Sequence, residues 1–362
     1  MTRKWLRWMP AVVVPAVIAA GVLSASVPAS AGDPLPEKTP QQVLLMLAQH
    51  GEKSLSGTLE QTSALGLPEL PASGPGAGAG APEAAWLELL TGPHTARVYL
   101  DGPDKARVQV MDRMAERNAV RNGGELWFYN SKDNTAAHLQ LPADAAARHQ
   151  DSPSAATPGD LADKLLAKLD SSTEVAVGPD TQVAGRAAYN LVLTPKSGTT
   201  LVDSVAIAVD GESGLPLGVE LKARGQSEPA FSVEYTSLTL GAPDAALFNF
   251  TPPPGASVEE VPLPEHKAAA APPSDVAKAA KRPTVTGTGW ETVLEFPAGT
   301  MKAPAADGPR PGAASLLDQA AVAVPGGRLV STSLVNVLIL EDGRILAGSV
   351  PLERLQAAAA QQ

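Results

Sequence analysis

The sequence predicts an α+β fold: one large, curved antiparallel sheet with two principal helices. Three observations predict it. From about residue 94 onward, short stretches with apolar residues at alternate positions succeed one another, each closed by a Gly-, Asp- or Asn-rich turn. Only residues 39–53 and 158–170 carry the apolar repeat of a helix at length. Strands joined by short turns pair with their chain neighbours, which builds an antiparallel sheet.

The elements follow in order. Arg3, Lys4 and Arg7 precede an apolar run from Ala11 to Ala25, and Ala29, Ser30 and Ala31 form an A-x-A site. These are the three parts of a secretory signal, with cleavage expected between Ala31 and Gly32. The alternative is a retained anchor, since residues 9–29 are just long enough to cross a bilayer. Thr39, Pro40 and Gln42 then read as N-cap, N1 and N3 of a capping box. Val43, Leu44, Met46, Leu47 and His50 continue it as a helical stripe, and the helix is expected to end near residues 51–53. A strand is expected over Leu55 to Leu65, followed by a flexible Gly-rich insertion at 66–82.

The meander begins with Ala96, Val98 and Leu100 on one face and Ala106, Val108 and Val110 on one face of the next strand. A third strand at Ala119 to Arg121 turns at Gly123 and Gly124 into Leu126 to Tyr129, and His138 to Leu141 follows. Residues 158–170 form the second helix, with Leu161, Leu165, Leu166 and Leu169 on one side. Strands resume at Thr173 to Val177, Gln182 to Ala184, Ala188 to Leu193, Val202 to Val209, Leu217 to Lys222 and Ala230 to Leu240. Asp244 to Phe248 is a short helical turn, and the three prolines at 252–254 stop regular structure. Residues 262–289 read as a Pro/Ala-rich loop. Residues 290–362 read as an extension that adds strands and a helix to the same domain. Its strands are expected at Trp290 to Phe296, Leu329 to Leu340 and Arg344 to Val350, with a short helix near Ser315 to Ala323 and a last one from Pro351. The strands number about eleven to thirteen.

Composition limits the chemistry. With no cysteine there is no disulfide and no thiolate or zinc–thiolate site. Cleaving the signal removes three of 28 Lys and Arg and no acid, leaving 25 against 38 and a net charge of −13. That balance disfavours nucleic acid and anionic membrane surfaces. The five histidines (His50, His94, His138, His149 and His266) form no metal-binding pair. Nucleophile elbow, phosphate loop and dinucleotide fingerprint are all missing. Asp101 and Asp104, like Asp210 and Glu212, sit in turns and read as solvated turn residues. Alternation puts Trp127 with Tyr129 on one face of their strand and Leu126 with Phe128 on the other. Either both faces are covered, or one lies in a core and the other lines a cavity.

The succession of SGTLEQ (Ser56 to Gln61), GGELWFYN (Gly123 to Asn130), VAGRAAYNLVLTP (Val183 to Pro195), VAIAVDGESGLPLGVEL (Val205 to Leu221) and DAALFNFTPPPGASVEE (Asp244 to Glu260) resembles the LolA-like family of periplasmic lipoprotein carriers, which includes RseB-type sensors. The resemblance covers roughly residues 37–261, so the domain is set at 32–261, and the Ala-, Gly- and Pro-rich composition points to an actinobacterial member. It implies an incomplete β-barrel, a strongly curved antiparallel sheet wrapped over a few helices, with a hydrophobic cavity for acyl chains and neither catalytic residue nor cofactor. The implied function is an exported, non-enzymatic protein that holds a lipid or lipoprotein acyl chain. Its partners are a lipid or acylated protein, and no nucleic acid. The alternative is an RseB-like sensor of an anti-sigma factor or other membrane-bound regulatory protein; a secreted hydrolase is the third. Strand phase nominates Leu59, Val98, Val108, Val110, Leu126, Phe128, Leu191, Leu193, Ile207 and Phe231 as lipid-binding residues. Plain core packing would bury the same set.

Overall fold

The computed structural model describes residues 34–66, 92–111, 115–141, 157–167, 169–261, 283–299 and 321–360. It divides into the units Met1–Pro36 and Glu37–Gln362, and every element below belongs to the second. The expected signal and nearly all of the Gly-rich insertion lie outside the described residues. No described helix is long and apolar enough to cross a membrane.

The architecture is mostly β, with three α-helices among the described residues. Helix α1 (Pro40–Gln49) starts with the capping box that its sequence carries: the Gln42 N–H donates to Thr39 Oγ1 and the Thr39 N–H to Gln42 Oε1. It ends earlier than expected, with His50 as C-cap. Strands β1 (Ser54–Ser63), β2 (His94–Asp101), β3 (Lys105–Met111), β4 (Glu116–Asn122), β5 (Glu125–Asn130) and β6 (Thr135–Gln140) pair in succession. Helix α2 (Pro158–Leu166) has its own capping box, Thr157 with Asp160, and stops short of the expected Asp170. Strands β7 (Thr173–Val177), β8 (Thr181–Val183), β9 (Arg186–Pro195), β10 (Val202–Asp210), β11 (Pro216–Ala223), β12 (Phe231–Leu240) and β13 (Ser257–Glu260) complete a 13-stranded sheet.

Hydrogen bonding runs β13-β6-β5-β4-β3-β2-β1-β12-β11-β10-β9-β7, with β8 also on β9. The path does not close into a barrel. It is antiparallel except where β13 joins β6 in parallel, so the sheet is mixed. One end curls strongly. β8 approaches β12 to within 8 Å between Cα atoms although β9, β10 and β11 lie between them; four flat strand spacings would hold them about 19 Å apart. α1 lies against β7 and β9, and α2 against β11. Val43 and Leu47 of α1 and Ala162 of α2 are buried there, and each apolar side chain of Val or Leu size contributes roughly 1.5–3 kcal/mol.

Where β1 meets β12 a bulge falls between Thr58 and Leu59. Gly57 beside it has no room for a side chain: a Cβ would stand 2.5 Å from the Ser237 carbonyl oxygen and 2.9 Å from the Tyr235 ring. On the opposite face of the same ladder Glu60 faces Glu234 directly. Burial, then Glu220, then Glu60 push the Glu234 carboxyl above its usual range. A raised carboxyl binds its proton more tightly in the folded state, so its penalty is present at neutral pH and relieved as pH falls through the raised value. Glu234→Gln is therefore expected to stabilise the protein by about 0.5 kcal/mol at pH 7. Urea denaturation should show the gain at pH 7 and none near pH 3; equal midpoints at pH 7 would rule the repulsion out.

A second, six-stranded sheet comprises β14 (Thr284–Thr286), β15 (Val293–Phe296), β16 (Val322–Val324), β17 (Gly327–Ser331), β18 (Asn336–Leu340) and β19 (Ile345–Gly348), in the order β14-β15-β19-β18-β17-β16. Helix α3 (Leu352–Ala359), which begins after Pro351 as expected, packs Leu355 and Ala358 on Val293, Leu338 and Leu346. Hydrogen bonds tie this sheet to the first: Leu201 N–H to the Ser349 carbonyl at 2.8 Å, and Trp290 Nε1 to Thr173 Oγ1 at 2.9 Å.

Several expectations are corrected here. The described strands number 19, well above the expected range. β14 lies inside the segment expected to be loop, and β13 follows the prolines expected to end regular structure. Gly289–Glu291 is a 3₁₀ turn, so the strand expected from Trp290 starts at Val293. The strand expected over Leu329 to Leu340 is two strands. Thr332 breaks it, because its hydroxyl accepts the Val335 N–H at 2.8 Å and closes a turn. Val322 and Ala323, expected at the end of a short helix, belong to β16; residues 315–320 of that helix lie outside the described residues.

Candidate functional site

Register places all ten nominated residues on one face of the large sheet. Partners in an antiparallel ladder point to the same side. Leu59 stands opposite Ala96, Val98 opposite Val108, and Val110 opposite Arg117. Across β4, Ala119 pairs with Val108 on one side and Phe128 on the other, and Arg121 with Leu126. In the other direction Leu59 faces Tyr235, and Phe231 faces Leu221. Ile207 faces both Val219 and Leu191, and Val205 faces Leu193. The second helix lies on this, the inner, face: its Asp160 acts on Tyr235, the ladder partner of Leu59.

Burial divides the set. Leu59, Val98, Val108, Leu191, Leu193 and Ile207 are buried. Val110, Leu126 and Phe231 are half-buried, and Phe128 is 46% exposed. The inner face is thus buried from β9 to β11 and on through Leu59 and Val98 to Val108 of β3, and it opens at Val110, Leu126 and Phe128. Alternation identified the face but carried no information on which part was covered.

The outer face of β5 is covered. Trp127 stacks on His138 with ring centroids 4.1 Å apart, and Phe250 packs against Trp127 and Tyr129 at 5.6 and 5.8 Å. Phe248 is buried nearby in the 3₁₀ turn Ala245–Phe248. Arg107 Nη1 donates to the Leu247 carbonyl at 2.9 Å and holds this turn to the sheet. His138 Nδ1 contacts Glu260 Oε2 at 2.9 Å, which joins β6 to β13. Of the two faces of this strand, Trp127 and Tyr129 are half-buried beside Phe250, while Phe128 on the other face is exposed.

The curled end is fixed by an ion pair. Asp210 is 1% exposed, which overturns its reading as a solvated turn residue. Arg186 grips it with two bonds, Nε to Oδ1 at 2.7 Å and Nη2 to Oδ2 at 2.9 Å, and also reaches Glu212. Ser213 adds its N–H at 2.8 Å and its hydroxyl at 2.6 Å. Burial pushes the Asp210 carboxyl up, but Arg186 and Ser213 outweigh it and hold it below the usual range. On β12, burial with help from Asp160 pushes the Tyr235 phenol up.

No group of three His, Cys, Asp or Glu side chains able to hold a metal occurs among the described residues. A shallow cleft of about 440 Å³ lies in the second sheet, between Pro325, Leu340, Glu341 and the end of α3, away from the inner face. Arg117 and Arg121 share the inner face with Phe128 and were not nominated. Their alternation with Ala119 in the sequence could have placed them there.

No protein-family model and no curated protein matches the chain. Among solved structures it is similar to a chain of the Pseudomonas aeruginosa MucA/MucB complex, at 16% identity over 88% of this chain and 96% of that one, with a TM-score of 0.43. An uncharacterized conserved protein from Thermus thermophilus is 12% identical over 61% of this chain and 98% of its own, with a TM-score of 0.34. A LolA superfamily protein from Nitrosomonas europaea is 13% identical over 59% and 99%, with a TM-score of 0.24. At these TM-scores the likenesses carry no functional inference.

Proposed function

We propose that this chain is an exported, non-enzymatic binding protein that holds the acyl chain of a lipid or acylated protein on the open stretch of its inner face. The observation that carries this is Phe128, 46% exposed beside half-buried Val110, Leu126 and Ala119 on a face whose other end is buried and apolar. An acyl chain laid there gains roughly 0.8 kcal/mol for each CH₂ it buries. The packed end leaves the helices as structural support, and the ligand lies over β3 to β5. The N-terminal signal supplies the route out of the cytoplasm.

Native mass spectrometry of the mature chain tests this. Lipid-derived added mass is expected, and Phe128→Asp is expected to remove it while costing under about 1 kcal/mol of stability, because the ring is half in water. Added mass that survives Phe128→Asp would place the ligand elsewhere; protein that takes up no fatty acid at all would end the proposal. The second reading is a sensor that binds a membrane-bound regulatory protein. It is favoured by the openness of the Phe128 stretch, which a peptide could cover as well as a lipid. Crosslinking from Phe128 to a membrane protein, without lipid mass, would select it.

A further inference from the structure

We infer that the ligand of this face is an anionic amphiphile, an acyl chain that ends in a carboxylate or phosphate, rather than a neutral lipid; the inference rests on the acyl-binding proposal. Charge is partitioned between the two faces of β2 to β6. Asp101, Glu116 and Glu125, with Arg97, Lys105 and Arg107, all fall on the outer face by register. The inner face of these five strands carries no acid, and its permanent charges are Arg117 and Arg121, in a chain of net charge −10.

Their placement matches an amphiphile. Both lie on β4, two residues either side of Ala119, and Ala119 stands opposite Phe128. Diagonal neighbours on one sheet face are about 7–8 Å apart, within reach of a long side chain. Each guanidinium can therefore meet a headgroup whose chain runs over Phe128 and Leu126. Both arginines are already engaged: Arg121 donates to the Gly123 carbonyl and stands 3.6 Å from Asp104, and Arg117 has contacts of its own. The Arg121 side chain is 12% exposed; the contacts preorient both groups, and a headgroup would share their donors. The nearest inner-face acid on the far side, Glu259 of the edge strand β13, stands opposite Ala137, two strands from Phe128.

Equilibrium dialysis of the mature chain against oleate, oleyl alcohol, phosphatidylglycerol and phosphatidylcholine tests this. Oleate or phosphatidylglycerol is expected to bind at least about tenfold more tightly than its neutral or zwitterionic counterpart, the worth of one charge-assisted hydrogen bond. Preference for oleate alone assigns a carboxylate headgroup, and for phosphatidylglycerol alone a phosphate; either supports the inference. Ala119→Glu, which sets a carboxylate between the two arginines, is expected to remove the preference, read as the ratio of oleate to oleyl alcohol affinity in the same variant. Arg117→Met provides the same test without adding a charge. Equal affinity for charged and neutral ligands, or a preference untouched by both variants, overturns the inference and leaves the acyl-binding proposal standing. Failure to bind any of the four overturns that proposal instead.

Discussion

Arg186→Met is expected to cost about 3–5 kcal/mol, a large share of the 5–15 kcal/mol that holds a typical domain folded. The cost comes from Asp210 rather than from the arginine. Methionine retains much of the arginine stem, but it leaves a carboxylate that is 1% exposed with only the two Ser213 donors. The pH dependence gives the effect a signature. The Asp210 carboxyl is held low in the folded protein, so the stability it supplies is full above its unfolded value of about 3.9 and is lost as pH falls through the folded one. Without Arg186 the folded value rises, so less stability is lost on acidification. Guanidinium chloride denaturation should therefore show a deficit that is largest near pH 7 and shrinks toward pH 3. A deficit under about 1 kcal/mol, or one that does not change with pH, would show that the pair is not what secures this hairpin.

Gly214→Val is expected to cost about 2–5 kcal/mol and to loosen α1 selectively. Two effects add. Gly214 has φ +74°, where a side-chain-bearing residue loses roughly 1–2 kcal/mol. Its Cβ position also lies 2.6 Å from the carbonyl oxygen of Met46 in α1 and 2.9 Å from the carbonyl carbon. That neighbour is backbone and cannot swing away, so the helix must shift off β7 and β9. Hydrogen exchange should show α1 amides losing protection while those of β2 to β6 keep theirs. Gly214→Asn separates the two effects, since asparagine tolerates the left-handed region but still carries a Cβ. Wild-type stability in Gly214→Asn would mean that the close approach to Met46 is unimportant.

The sequence is most legible where one local rule acts alone. The Thr39–Gln42 capping box can be read directly, because its partners are three residues apart. Strand parity puts all ten nominated residues on one face, because period two survives any curvature of the sheet. What alternation does not encode is what lies above a face. It cannot separate Leu191, under α1, from Phe128, in the open. Asp210 misleads for a related reason: its turn looks solvated in sequence, and its burial depends on Arg186, 24 residues away. β13 escapes a sequence reading because three prolines precede it and Val258 stands among acids. Its hydrogen bonds come from β6, more than a hundred residues earlier, as the His138–Glu260 contact across 122 residues shows.

The joint between β1 and β12 also sets a timetable. Thr58 and Ser237 bond across 179 residues, and that ladder is what connects the meander β1 to β6 with the curled end. The β2 to β6 hairpins can zip locally within moments of emerging, yet β1 keeps one unsatisfied edge until residue 240 is available. Pairings of such long range make for slow folding, and an unpaired strand edge left waiting is a site for misassembly. The half-formed molecule is thus a six-stranded ribbon with an adhesive rim. Substitutions in β12 that leave the finished protein stable are expected to show themselves first as lost yield.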